Sequence, residues 1–230
     1  MAVDPMTEAD IIDQVYSFYE GDSTTWSATS AEYLTARNYC KAGIIRWEYL
    51  EGIQWPELYT KLSSASDGTK TTTSGTTAYS CPTDMRIPPR AGQYVRIVSN
   101  STSTEYKIVP LTKVEQLDDS DGYWCYFTGN AKLGFTLNLN PNLNYNTGDT
   151  IKYEYYRNAT YFTAITSTTE MSNPFFLVHY CLHRFYKNDG LLAESKEELE
   201  VAENLLQEMK LDATNVDTSD EVAGNYGFGT

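Results

Sequence analysis

Helical hydrophobic spacing stands at both ends of this 230-residue chain, and a long Tyr- and Thr-rich stretch of strand-like alternation lies between them. A middle of one period flanked by ends of another constrains the fold more than any short motif does. The terminal segments belong to one helical body, and the middle is an insertion into it. The expected class is α+β: a helical bundle formed by N- and C-terminal helices, with an inserted antiparallel β-sandwich or barrel domain and an extended C-terminal tail.

The first helix is announced by Thr7-Glu8-Ala9-Asp10, an N-cap pattern, after which Ile11, Ile12, Val15, Phe18 and Tyr19 recur at helical spacing until Gly21. A second start lies at Thr29-Ser30-Ala31-Glu32, a capping-box sequence. From there Tyr33, Ala36, Cys40, Ile44, Trp47 and Leu50 step along one face as a core stripe, and Gly52 serves as the C-cap. Proline forces the residue before it out of the helical region, so the chain turns at Trp55-Pro56, and Glu57-Leu58-Tyr59 adds a helical turn.

From Ser63 to Thr77 a Ser/Thr/Gly run offers little to bury and reads as a weakly ordered loop or solvent-facing ribbon. Strand-like pieces follow at 94–98, 105–109, 123–127, 135–139 and 150–156, separated by turn signals such as Asp118 to Gly122, Gly129-Asn130 and Asn146-Thr147-Gly148-Asp149. Helix returns at Ser172-Asn173-Pro174, with Asn173 as cap and Pro174 at the first helical position. Its apolar face is Phe175, Val178, Leu182 and Phe185, and Asn188-Asp189-Gly190 ends it. The last helix carries Leu199, Ala202, Leu206 and Met209 on one face and glutamates elsewhere, so the two form an antiparallel hairpin. The expected parts are therefore 1–62 (N-terminal helical part of the bundle), 63–165 (inserted β-domain), 166–211 (C-terminal helical hairpin) and 212–230 (extended tail).

Charge excludes some functions. With 17 Lys+Arg against 31 Asp+Glu the formal net charge is -14, which argues against sequence-reading contact with nucleic acid. Acidic surface repels DNA, a property that suits either plain solubility or the wall of a channel through which DNA slides. The N-terminus has no basic region followed by an apolar core, so it does not read as a secretory signal, and no apolar run is long enough to span a bilayer. Cys40, Cys81, Cys125 and Cys181 form no C-x-x-C pair, which fits reduced thiols made in a reducing cytoplasm.

Candidate chemistry is sparse. His179 and His183 stand four apart on one helix face, the spacing of a metal site, but no third ligand is identifiable and packing histidines are the plainer reading. Asp118-Asp119-Ser120-Asp121-Gly122 lacks the closing glutamate of a calcium loop and reads as a hairpin turn. No nucleophile elbow, P-loop or dinucleotide fingerprint occurs, so no catalytic residue, cofactor or metal is assigned. Trp47 and Trp55 read as bundle packing, and Trp124, in a strand apolar on both faces, as buried or at a subunit contact. Two other classes stay open: a carbohydrate- or receptor-binding β module using exposed Tyr and Trp, and a hydrolase using paired carboxylates. The ending Asn225-Tyr226-Gly227-Phe228-Gly229-Thr230 reads either as a frayed terminus or as a segment whose rings fill pockets on a neighbour.

The stretch from Tyr33 to Leu58, with Ala36-Arg37, Ile45-Arg46-Trp47-Glu48 and Trp55-Pro56-Glu57-Leu58, resembles the head-to-tail adaptor (connector) proteins of tailed bacteriophages. The Tyr153-Glu154-Tyr155-Tyr156 strand, the Glu170-Met171-Ser172-Asn173-Pro174 helix start and the helix from Ala202 to Met209 fit the same pattern, over roughly residues 30–211. The resemblance implies a structural virion protein at the neck. About a dozen copies would form a ring beneath the portal protein, extend the DNA channel and offer a docking surface to a tail or nozzle protein. It implies no cofactor and no membrane partner. In that setting the acids Glu197, Glu198 and Glu200 are candidates to face the channel, and Tyr226 and Phe228 to dock on the tail.

Overall fold

The computed structural model describes residues 5–21, 25–62, 70–99, 102–117, 122–140 and 146–224, with side chains described up to residue 214. The chain divides into two units, Met1–Glu57 with Ala159–Thr230, and Leu58–Asn158. The first is helical and the second is a sheet, which gives the α+β insertion its form.

In the helical unit, α1 (Glu8–Glu20) starts where the sequence says. The Thr7 hydroxyl accepts from the Asp10 amide at 3.2 Å, and the Asp10 carboxylate accepts from the Thr7 amide at 2.9 Å, so two orphan donors are satisfied. Gly21 closes the helix in the left-handed conformation that side chains avoid. Ile11, Ile12 and Val15 are buried, whereas Phe18 is 54% exposed and stacks on His179. In α2 (Ala31–Glu48) the cap is Ser30, whose hydroxyl accepts from the Tyr33 amide, so Glu32 sits one position early and the expected box is half made. Tyr33, Ala36, Cys40, Ile44 and Trp47 are buried as the stripe requires, but the helix stops at Glu48, before Gly52.

α3 (Phe175–Asn188) packs against α1, α2 and α4 (Leu192–Gly224). Its burial therefore extends beyond one stripe to Phe176, Leu177, Tyr180 and Cys181 as well as Val178, Leu182 and Phe185. A Cβ at Gly43 of α2 would lie 2.8 Å from Leu177 and 3.1 Å from Tyr180, so the bare backbone there lets α2 and α3 close. Asn173 does cap α3, accepting from the Phe175 amide at 3.2 Å. Ala202, Leu206 and Met209 of α4 are buried and Leu199 is half-buried, with Ser195 completing the stripe.

The extended tail expected from Asp212 is corrected for residues 212–224, which continue α4 to Gly224. Low apolar content decides whether a segment docks, not whether its backbone is helical, and no proline or glycine interrupts the ladder before Gly224. Residues 225–230 lie outside the described residues.

Among the described residues the inserted unit is one eight-stranded, mostly antiparallel curled sheet, a half-barrel instead of two stacked sheets. Its strands are β1 (Tyr59–Leu62), β2 (Ala78–Ser80), β3 (Met85–Ile87), β4 (Tyr94–Ser99), β5 (Thr102–Ile108), β6 (Trp124–Asn130), β7 (Gly134–Leu139) and β8 (Thr150–Arg157). The order is β1-β8-β4-β5-β6-β7-β2, with β3 also on β8. One pair is parallel, β5 with β6, reached through a 3₁₀ stretch at Leu111–Gln116. Period-2 alternation puts Val95, Ile97, Tyr106, Ile108, Leu137, Leu139, Ile151 and Tyr153 into one core. At the β6–β7 turn a Cβ on Gly129 would lie 2.2 Å from the Gly134 carbonyl oxygen, and φ is +98°, so only glycine closes that hairpin.

Tyr59, expected in a helical turn, instead pairs with Tyr156 as the start of β1. The expectation of weak order at 63–77 is corrected for its second half. Thr71 bridges Thr150, and the buried Thr72 hydroxyl accepts from the Asp149 amide and donates to the Asn146 carbonyl. Residues 63–69 and Asp118 to Asp121 lie outside the described residues.

Candidate functional site

The residues singled out from sequence fall in the helical unit, on α2 and the α3–α4 hairpin. Trp47 and Trp55 are buried and stack with centroids 5.2 Å apart, and the Trp55 indole N–H donates to the Trp47 carbonyl at 2.7 Å. That bond satisfies a carbonyl at the end of α2 and holds the Trp55-Pro56 turn against it.

Next to them lies a group the sequence reading passes over. Glu48 is 0% exposed; its carboxylate accepts from the Ala159 amide at 3.1 Å and from the Tyr161 hydroxyl at 3.2 Å. Burial first, then this carboxylate, pushes the Tyr161 phenol up to about 12. Lys41 sits 5.2 Å over the Tyr161 ring. A sequence signal was present: an acid in the last turn of a helix opposes the helix dipole and needs donors to hold it. Glu8 is a second buried acid, paired with Arg37 at 2.7 Å and linking α1 to α2.

The two histidines share a helix face, and each is committed to a different partner on α4. His179 Nδ1 lies 2.6 Å from Glu198, and His183 Nδ1 lies 2.8 Å from the Ser195 carbonyl. Among the described residues no cluster of three His, Cys, Asp or Glu is placed as a metal site. Of the three candidate acids, Glu197 and Glu200 are exposed, while Glu198 is half-buried against His179. Arg46 binds Glu203 further along α4. Tyr226 and Phe228 lie outside the described residues.

All four cysteines are free and buried. Cys40 and Cys181 touch across α2 and α3 at 3.3 Å, and burial, with Cys40 adding to it, raises the Cys181 thiol. Cys81 and Cys125 lie in the sheet core, where burial pushes Cys125 up to about 12. Such thiols are poor nucleophiles at neutral pH. In the sheet, Trp124 is 7% exposed and stacks on Tyr126, so it offers no open platform to a sugar ring. No helix among the described residues is long and apolar enough to cross a membrane.

What this geometry offers, among the described residues, is architecture: four helices closed by aromatic stacking and buried acids, presenting carboxylates on α4. The chain from residue 6 to residue 224 matches the model of a family described as SU10 adaptor protein. No curated protein matches it.

Proposed function

Since this chain belongs to the SU10 adaptor protein family, and is thereby a structural head–tail adaptor of a phage virion, we propose that it works as a ring. About a dozen copies assemble beneath the portal protein, extend the DNA channel and provide the surface on which a tail or nozzle protein docks. The α4 face carries the observation that supports this reading: Glu194, Glu197 and Glu200 recur every third residue and are exposed. Residues three apart on a helix are neighbours, so these carboxylates form one strip that repels phosphate. Glu197 and Glu200 line the channel and Glu198, tethered to His179, stands at its edge. Tyr226 and Phe228 dock on the tail protein, where aromatic rings can fill pockets. A ring multiplies a weak subunit contact by closure, so assembly needs no single strong interface.

The test is the mass of the chain by light scattering, alone and after mixing with its cognate portal. The expected result is a shift to a large complex with ring-shaped particles by electron microscopy. A persistent monomer in the presence of portal overturns the reading.

A further inference from the structure

The net charge of -14 is not spread over the chain. The helical unit, Met1–Glu57 with Ala159–Thr230, holds 7 Lys+Arg against 22 Asp+Glu, a formal charge of -15. The sheet unit, Leu58–Asn158, holds 10 against 9, a formal charge of +1. Four of the ten cations in the sheet unit lie on the face opposite the core. Arg96 of β4 stands directly across from Lys152 of β8, and Lys61 of β1 stands across from Glu154. On the next strand Glu105 faces Arg96, and Lys107 faces Tyr94. Four cations thus share a face with two carboxylates. Those two are taken: Arg96 holds Glu105 at 3.0 Å and Lys61 holds Glu154 at 3.1 Å. Glu105 already offsets the like-charged Arg96–Lys152 pair from the Arg96 side, and the face keeps an excess of two cations over its carboxylates. A groove of about 520 Å³ opens over these residues, lined by Lys61, Tyr94, Arg96, Lys152 and Glu154 with Pro89.

We propose that this cationic sheet face is the seat for the acidic helical unit of a second copy of the chain. Copies of charge -14 repel one another, and a surface where opposite charges meet offsets that repulsion. The sheet unit of one copy and the helical unit of the next supply that pair. A contact between two different patches is heterologous, and when its rotation closes it generates a ring. This rests on the ring reading and names the surface that makes it.

The experiment mixes isotopically labelled and unlabelled full-length chain with the cognate portal, then joins amines to carboxylates with a zero-length carbodiimide. Mass spectrometry is expected to find labelled-to-unlabelled links from Lys61, Lys107 or Lys152 to acids of the helical unit. Neutralising Lys61→Gln, Arg96→Gln and Lys152→Gln together is expected to weaken self-association roughly tenfold at low salt, an effect that fades as salt screens the charges. Because the linking result uses unaltered chain, it stands even if that variant misfolds. Rings whose links from these lysines stay within one copy, or run only to portal, overturn the inference and leave the ring standing. Protection of the lysines by duplex DNA instead of a second copy also overturns it. The absence of any ring removes the functional reading itself.

Discussion

Replacing Glu48 tests whether the buried carboxylate closes the helical unit where the chain returns from the sheet. Two competing terms set the outcome. Removing the carboxylate relieves the cost of burying a charge, which in some proteins makes such a change neutral. It also orphans the donors. The Ala159 amide is backbone in a residue only 6% exposed and cannot turn to water, whereas the Tyr161 hydroxyl, on a partly exposed residue, can. Hydrogen bonds to charged groups contribute about 1.5–3 kcal/mol each, and an orphaned buried donor costs about 1–3 kcal/mol. With the cavity left by the truncated side chain, Glu48→Ala is expected to lose about 3–5 kcal/mol. Glu48→Gln keeps one acceptor of the same shape and is expected to lose about 1–2 kcal/mol. Urea unfolding at neutral pH, followed by circular dichroism, reads both. If Glu48→Ala lies within about 1 kcal/mol of the wild type, relief of the buried charge has won and the role assigned to Glu48 is wrong.

Other outcomes follow from the same structure. Tyr33, Tyr106 and Tyr161 are pushed up from 10.0 to about 12 chiefly by burial, and Tyr19 to about 12 chiefly by its hydrogen bond to Asp189. The folded state thus holds these protons longer than the unfolded one, so stability is full below pH 10 and falls as pH rises towards 12. Tyrosinate absorbance should rise together with loss of helix; ionisation complete near pH 10 with the fold intact would contradict the shifts. Virions carrying Glu197→Lys with Glu200→Lys are expected to eject DNA roughly tenfold more slowly, because each new cation adds a phosphate contact. Both side chains are exposed, so folding should be spared, and a wild-type ejection rate would remove these acids from the channel wall.

Helix ends were legible where a side chain meets the backbone locally, as at Thr7, Ser30 and Asn173, because caps depend on neighbours two or three residues away. The five longer strands were legible from alternation and turn residues. The short strands β1, β2 and β3 were not, since three or four residues carry too little pattern and are held by partners far along the chain, such as Tyr156 for Tyr59. Phe18 shows the limit of periodicity: it lies in the apolar stripe of α1 yet covers His179 at the surface. The continuation of α4 past Leu211 is not legible from apolar content, which governs docking and not helicity. Of the candidate site, the burial of Trp47 and Trp55 could be read from their positions. The pairing of Glu198 with His179 and of Glu48 with Ala159 could not, because those partners come from segments 19 and 111 residues away.

The interrupted helical unit also has a history during synthesis. Its two halves are interleaved from the first residues described: the Glu8 amide donates to the Ser167 carbonyl, the Thr169 amide to that of Met6, and α3 supplies the packing surface for α1 and α2. None of these partners exists until the ribosome has passed through the roughly 100 residues of the sheet unit. At about 5–20 residues per second that delay is on the order of 5–20 s. The sheet, contiguous in sequence, can complete itself during the wait, while Ile11, Ile12, Trp47 and Trp55 remain without the surface that covers them. The insertion therefore imposes a timetable in which the part written first is finished last, and the nascent chain must be kept from aggregating at its own beginning.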